Sequence, residues 1–158
     1  MFRKMRRINQ QLSDAEVEAI LQRGNTAILG VLGDDGYPYT IPLNYVYMNG
    51  RIYMHCAKSG HKYDAICNCD KVSLCIIDKE EVVPETLSTN YGSVIAFGRA
   101  KIMDDTEEMI KAVTALSLKY GATKENVEKE IPMELKALAC IEISIEYITG
   151  KRSKKGYN

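Results

Sequence analysis

The sequence has no net charge, no long apolar run and no cysteine framework, and each absence excludes a class of function. Lys and Arg total 21 and Asp and Glu total 21, so no electrostatic footprint for nucleic acid is present. No apolar stretch approaches the length of a membrane span, and the N-terminus lacks the apolar core of a signal peptide; no membrane partner is expected. The five cysteines are odd in number and scattered through apolar segments. That pattern fits reduced thiols in a cytoplasmic protein. There is no repeat, low-complexity stretch or linker, so residues 1–158 are expected to form one domain with its own core. Basic residues gather in FRKMRR and KRSKKG, which are expected to be solvated tails at about 1–8 and 151–158.

What is present reads as strands joined by tight turns. Ser13-Asp14-Ala15-Glu16 is a capping box that opens a short helix to about Arg23, stopped by Gly24. TAILGVLG (26–33) is a buried strand, and Asp34-Asp35-Gly36 turns it into YPYTIPLNYVYM. Asn49-Gly50 is a strong hairpin signal, returning the chain as RIYMHCA. A helix is expected after Lys62 from the spacing of Tyr63, Ile66 and Cys67. KVSLCIIDKE is a strand, VPETLSTN a loop, and YGSVIAFGRAKIMD a long strand bent or bulged at Gly98. Asp105 caps a helix whose apolar face is Met109, Val113, Leu116 and Tyr120. Lys124 to Leu138 is helical with an interruption near Pro132, and ACIEISIEYIT closes the chain as an alternating strand. Six strands with few helices predict a mainly β fold: a small closed antiparallel barrel with peripheral helices.

The stretch HCAKSGHKYDAICNC (55–69) holds both histidines and three cysteines. Alternation along RIYMHCA places Ile52, Met54 and Cys56 on one face and Tyr53 and His55 on the other. His55 and Cys56 therefore diverge and cannot share a metal or form a nucleophile–base pair, and Cys67-Asn68-Cys69 is not a zinc half-site. The polar turn Ala57-Lys58-Ser59-Gly60-His61-Lys62 offers a third reading. With Ser59 as N-cap, the N–H groups of Gly60, His61 and Lys62, together with the Lys62 ammonium, would form an anion site. A solvated helix start is the competing reading of the same residues. Pro42 adds a second feature: it removes a ladder donor from a strand that otherwise reads as central, so Leu43 and Asn44 there must lie at an edge or bulge and can face a ligand. The Asn49-Gly50 hairpin brings this edge beside the anion turn.

These pieces, ILGVLGDDGYPYTIPLNYVYMNGRIYMHCAKSGHK, TNYGSVIAFGRAKI and IEISIEYITGK, resemble the pyridoxamine 5′-phosphate oxidase-like FMN-binding split-barrel proteins, and within them the nitroimidazole-resistance branch. The resemblance implies a six-stranded antiparallel split β-barrel of Greek-key type, paired as a homodimer with FMN at the interface. It implies that Pro42, Leu43, Asn44 and Tyr45 run along the flavin ring. It further implies that Ala57, Ser59, Gly60, His61 and Lys62 hold the phosphate, with Tyr91, Ser93 and Lys151 approaching the cofactor. Tyr45, Tyr47 and Tyr53 equally suit barrel or interface positions. The further basic set that a pyridoxamine phosphate substrate needs is not found. His55, with a reference pKa of about 6.5, is the candidate catalytic or substrate-orienting group, and a hydrogen-bonded strand-end histidine is the alternative. The expected activity is FMN-dependent reduction of a small organic acceptor, such as a nitro compound, with NAD(P)H as a possible donor. A flavin-sequestering module without turnover, or a binder of haem or a deazaflavin, remains open as an alternative.

Overall fold

The computed structural model describes residues 1–154 and 157. The capping box forms as expected: the Ser13 hydroxyl accepts from the Glu16 N–H, and the Glu16 carboxylate accepts from the Ser13 N–H at 2.8 Å, opening α1 (Asp14–Arg23). Strands β1 (Thr26–Leu32) and β2 (Pro38–Asn44) follow, then β3 (Val46–Met48) and β4 (Arg51–Ala57). Asn49 and Gly50 take φ of 53° and 75° at the hairpin between the last two, the left-handed pair that a two-residue turn requires. Helix α2 (His61–Asn68) leads to β5 (Lys71–Val83) and β6 (Ser88–Ile102), then α3 (Thr106–Lys119), α4 (Lys124–Glu134) and β7 (Leu138–Arg152).

All pairings are antiparallel, in one seven-stranded sheet of order β2-β1-β5-β6-β7-β4-β3. The sequence predicts six strands in a closed barrel. The structure has seven, and the ends of the sheet do not join. The cause lies in YPYTIPLNYVYM: its first half pairs with β1 and its second half with β4. The two edge strands are thus consecutive pieces of one segment, parted at Tyr45.

Tyr45 is fully buried, and its break leaves its own backbone groups without ladder partners. The end of α3 supplies them. Tyr120 Oη accepts from the Tyr45 N–H at 3.1 Å, while Lys119 Nζ donates to the Tyr45 carbonyl at 3.0 Å and to the Gly24 carbonyl at 2.6 Å. The Tyr45 hydroxyl donates to the Leu21 carbonyl at 2.9 Å, and the Lys119 ammonium sits 4.0 Å from the Tyr45 ring centre.

Two apolar cores result. Ile52, Met54 and Cys56 join Leu29, Leu74, Ile76, Val94 and Ile141 inside the barrel, under α1. Val46, Tyr53 and Cys140 face outward, where Val113 and Leu116 of α3 and Val127 and Ile131 of α4 cover them. This explains why β7 is buried on both faces from Ala139 to Ile143. The expected bulge occurs at Phe97/Gly98, where a Cβ on Gly98 would lie 2.2 Å from the Ser144 carbonyl oxygen.

Two further expectations change. Half of VPETLSTN is strand, because β5 and β6 extend into a long hairpin with only a short turn at Pro84–Thr86 and Leu87. Helix α4 continues through Pro132 to Glu134. The N-terminal basic residues Arg3, Lys4, Arg6 and Arg7 are exposed, while Phe2 stacks on Tyr147 at 5.0 Å and Gln11 bridges Lys151. At the other end, Lys151 and Arg152 belong to β7, and residues 155, 156 and 158 of the basic run lie outside the described residues.

Lys119→Met keeps the stem but removes the donor to two buried carbonyls. It should cost about 1.5–3 kcal/mol, as expected for a hydrogen bond to a charged group, seen as a lower urea midpoint at unchanged slope. An unchanged midpoint would show that Lys119 does not secure the break.

Candidate functional site

Parting at Tyr45 opens a slot between β2 and β4. Val46 pairs with Tyr53, so continuing that register would set Asn44 opposite His55 and Pro42 opposite Ala57. Strand β2 has instead swung over to β1, with Pro42 in register with Ile28. Residues 54–57 of β4 then pair only with β7, and β2 pairs only with β1. Two bare strand edges face the same opening. Proline on an edge strand keeps its N atom on the unpaired side. Strand parity then turns the backbone of Asn44 towards the slot and that of Leu43 towards β1.

Pro42, Asn44, His55 and Ala57 are exposed at the slot, and Leu43 is half-buried against the barrel core. The side chain of Tyr45 is committed to the interior, where burial pushes its pKa well above the ordinary tyrosine value. It closes the narrow end of the slot without presenting its ring there.

The Ala57–Lys62 turn lies at the wide end. Gly60, not Ser59, is the cap of α2, with φ of 104° and no side-chain cap bond. A Cβ there would meet nothing within 4 Å, so glycine is required by the backbone angle rather than by space. Lys58 is occupied, donating to the Lys136 carbonyl at 2.8 Å. The His61 ring stacks on Tyr39 at 4.1 Å, and its Nε2 accepts from the Asp34 N–H at 3.4 Å, tying the turn to the β1–β2 connection. Lys62 has no hydrogen bond or ion pair among the described residues and stands close enough to His55 to affect its titration.

His55 projects outward beside Lys62 and Glu134, while Cys56 points into the barrel. Although its side chain is exposed at the surface, crowding by surrounding protein holds its pKa below the ordinary histidine value; Glu134 opposes this and Lys62 adds to it. Burial pushes the Cys140 thiol up to about 11 and raises that of Cys56, which fits both as packing groups. Among the described residues, no group of three His, Cys, Asp or Glu could hold a metal ion.

Tyr91, Ser93 and Lys151 come together, but elsewhere. Ser93 pairs with Lys151 across β6 and β7, and the Lys151 ammonium lies 5.1 Å from the Tyr91 ring centre. Ala57 is opposite Leu138, at the far end of β7. The separation along that strand is up to about 40 Å. The chain therefore holds two clusters, set against opposite ends of β7. Sequence spacing does not show this, because it depends on which ends of β6 and β7 meet β4. A cavity of about 840 Å³ adjoins the Tyr91 end and not the slot.

Fold and slot together define a split-barrel protein. The sequence matches the family described as pyridoxamine 5′-phosphate oxidase over residues 13–152, and the chain belongs to that family. Comparison with curated proteins gave no match. Among solved structures, a conserved hypothetical protein of Mycobacterium tuberculosis superposes with TM-score 0.83 at 18% identity, over 96% of this chain and 92% of that one. A protein of Bacteroides thetaiotaomicron, proposed to confer 5-nitroimidazole resistance, gives TM-score 0.74 at 19% identity over 90% and 86%. An FAD-binding protein of Mesorhizobium loti gives 0.68 at 22% over 92% and 98%. At these identities the likeness concerns the fold.

The depressed pKa of His55 has a defined consequence. An unfolded histidine takes up its proton near pH 6.5, before the folded one does. Stability associated with His55 is therefore complete above about pH 6.5 and falls as pH drops through the folded pKa. Proton NMR should show the His55 ring titrating below its value in unfolded protein, and His55→Asn should flatten that part of the stability profile. A ring titrating above 6.5 would contradict the placement.

Proposed function

We propose that the chain binds FMN in the slot between β2 and β4 and uses it to reduce a small organic acceptor. The observation that carries this reading is the meeting of two bare strand edges with a turn in which Lys62 has no hydrogen bond or ion pair among the described residues. A flat ring system with hydrogen-bonding edges suits the backbone of Pro42 and Asn44 on one side and His55 and Ala57 on the other. A terminal phosphate suits Lys62 with the N–H groups at the start of α2, donors that a helix leaves unsatisfied. Family membership supports a flavin, as do solved neighbours described as FAD-binding, from Mesorhizobium loti and Mycobacterium smegmatis. FMN is favoured over FAD here because the turn offers one lysine suited to one terminal phosphate.

A slot open on one side encloses a ring poorly. The second cluster, Tyr91, Ser93 and Lys151, supplies a cover if two chains pair antiparallel about a two-fold axis, each giving its distal cluster to the other's slot. The working unit is then a homodimer with two sites. Reduced thiols, all five cysteines being free in the structure, suit a cytoplasmic setting.

The flavin, when bound, supplies reversible electron transfer, and the chain binds and orients it. His55, neutral near pH 7, orients an acceptor or serves as hydrogen-bond partner beside the ring. NAD(P)H is the proposed donor and a nitro compound the proposed acceptor.

Lys62→Ala should weaken FMN binding by a factor of about 10 to 150, the loss of one charge-assisted contact, and riboflavin binding much less. Equal weakening of both in fluorescence titration would overturn the phosphate role.

A further inference from the structure

The cavity of about 840 Å³ belongs to neither end of the slot. Its walls are Arg6, Arg7, Asn9 and Gln10 from the N-terminal segment and Ser88–Tyr91, Ser153 and Lys154 from the ends of β6 and β7. The N-terminal segment reaches it because β7 loses its second neighbour beyond Ser144, where its pairing with β4 ends. Gln11 bridges Lys151 and the Leu12 N–H donates to the Gly150 carbonyl at 2.9 Å, laying residues 6–10 across the opening.

Two independent features of this cavity point to a ligand. Its lining holds three cations, Arg6, Arg7 and Lys154, and no carboxylate, and among the described residues none of the three makes an ion pair. Of the arginines outside the cavity, Arg23, Arg51, Arg99 and Arg152 each pair with a carboxylate at 2.9 Å or less, and Arg3 makes no ion pair among the described residues. Gln10 is the second feature. It is 5% exposed, and its side-chain oxygen is buried without a hydrogen-bond partner. Buried polar atoms in folded proteins are nearly always paired, so an orphan acceptor in the wall of a cationic cavity marks a missing donor.

We propose that this cavity is a binding site for a nucleotide, separate from the flavin slot. The guanidinium forks of Arg6 and Arg7 with the Lys154 ammonium recognise the phosphates. A small rotation of the Gln10 side chain turns its oxygen to accept from an amino or hydroxyl group of the base or sugar. A volume of about 840 Å³ lies within the range of sites for such molecules. The cavity shares Tyr91 with the proposed cofactor contacts, while Arg6, Arg7, Lys154 and Gln10 are not among them.

The test uses the full chain, with pyrophosphate and ADP-ribose as calorimetric probes and FMN as the control. Both probes should bind the native protein, ADP-ribose more tightly. Arg6→Ala/Arg7→Ala should weaken both at least tenfold and leave FMN affinity unchanged. Gln10→Leu should weaken ADP-ribose alone, and should raise the melting temperature of the unliganded protein by removing the orphan acceptor. Failure of both probes to bind at millimolar concentration would overturn the site. Unchanged probe affinity in the double arginine variant would do the same, and a parallel loss of FMN affinity would overturn its separateness. Equal ADP-ribose affinity with leucine at position 10 would overturn the role of Gln10.

Discussion

A strand that changes partners midway leaves one residue with no ladder on either side, and in this protein that residue is Tyr45. Its N–H and carbonyl would be buried and unpaired if β2 and β3 were the only elements present. Lys119 and Tyr120, at the end of a helix and 74 and 75 residues downstream in sequence, satisfy them. The same two side chains hold the carbonyls of Gly24 and Asn25 just after α1. One junction thus fixes the end of α1, the parting of the edge strands and the position of α3.

Both sides of the molecule follow from that junction. On the closed side, β3 and β4 present Val46 and Tyr53 outward, and α3 and α4 bury them in a second core. On the open side, β2 and β4 diverge, leaving backbone edges that a sheet normally keeps paired or protected. A protein can retain such an opening where it is filled by a ligand or covered by another chain. The proposed flavin and the proposed partner protomer are two answers to one structural need.

Local chemistry made much of the fold legible in the sequence. The Ser13–Glu16 capping box, the Asn49-Gly50 hairpin and the Gly98 bulge each have a signature confined to a few residues, and each forms. Alternation in RIYMHCA was enough to separate His55 from Cys56. The break at Tyr45 was not legible, because Pro42 signals an edge or bulge without marking where the strand changes partner, and the groups that satisfy the break come from the end of α3. The extended β5–β6 hairpin was obscured by Pro84, which sits in its turn. Ser59 looked like the cap of α2, but the φ of 104° at Gly60 moves the helix start by one residue. The candidate residues were legible as types, while their division into two distant clusters came only from strand order. The cavity at Arg6, Arg7 and Gln10 escaped notice because a basic N-terminal run ordinarily stays in solvent.

The central claim is that the gap opened at Tyr45 receives a flavin ring between two bare strand edges. Nuclear Overhauser contacts between the ring protons of bound FMN and the isotope-labelled protein test it most directly. The account predicts contacts to Pro42 and Asn44 on one side and to His55 and Ala57 on the other. Contacts confined to the cavity lined by Arg6 to Gln10, or to the outer faces of α3 and α4, would contradict it.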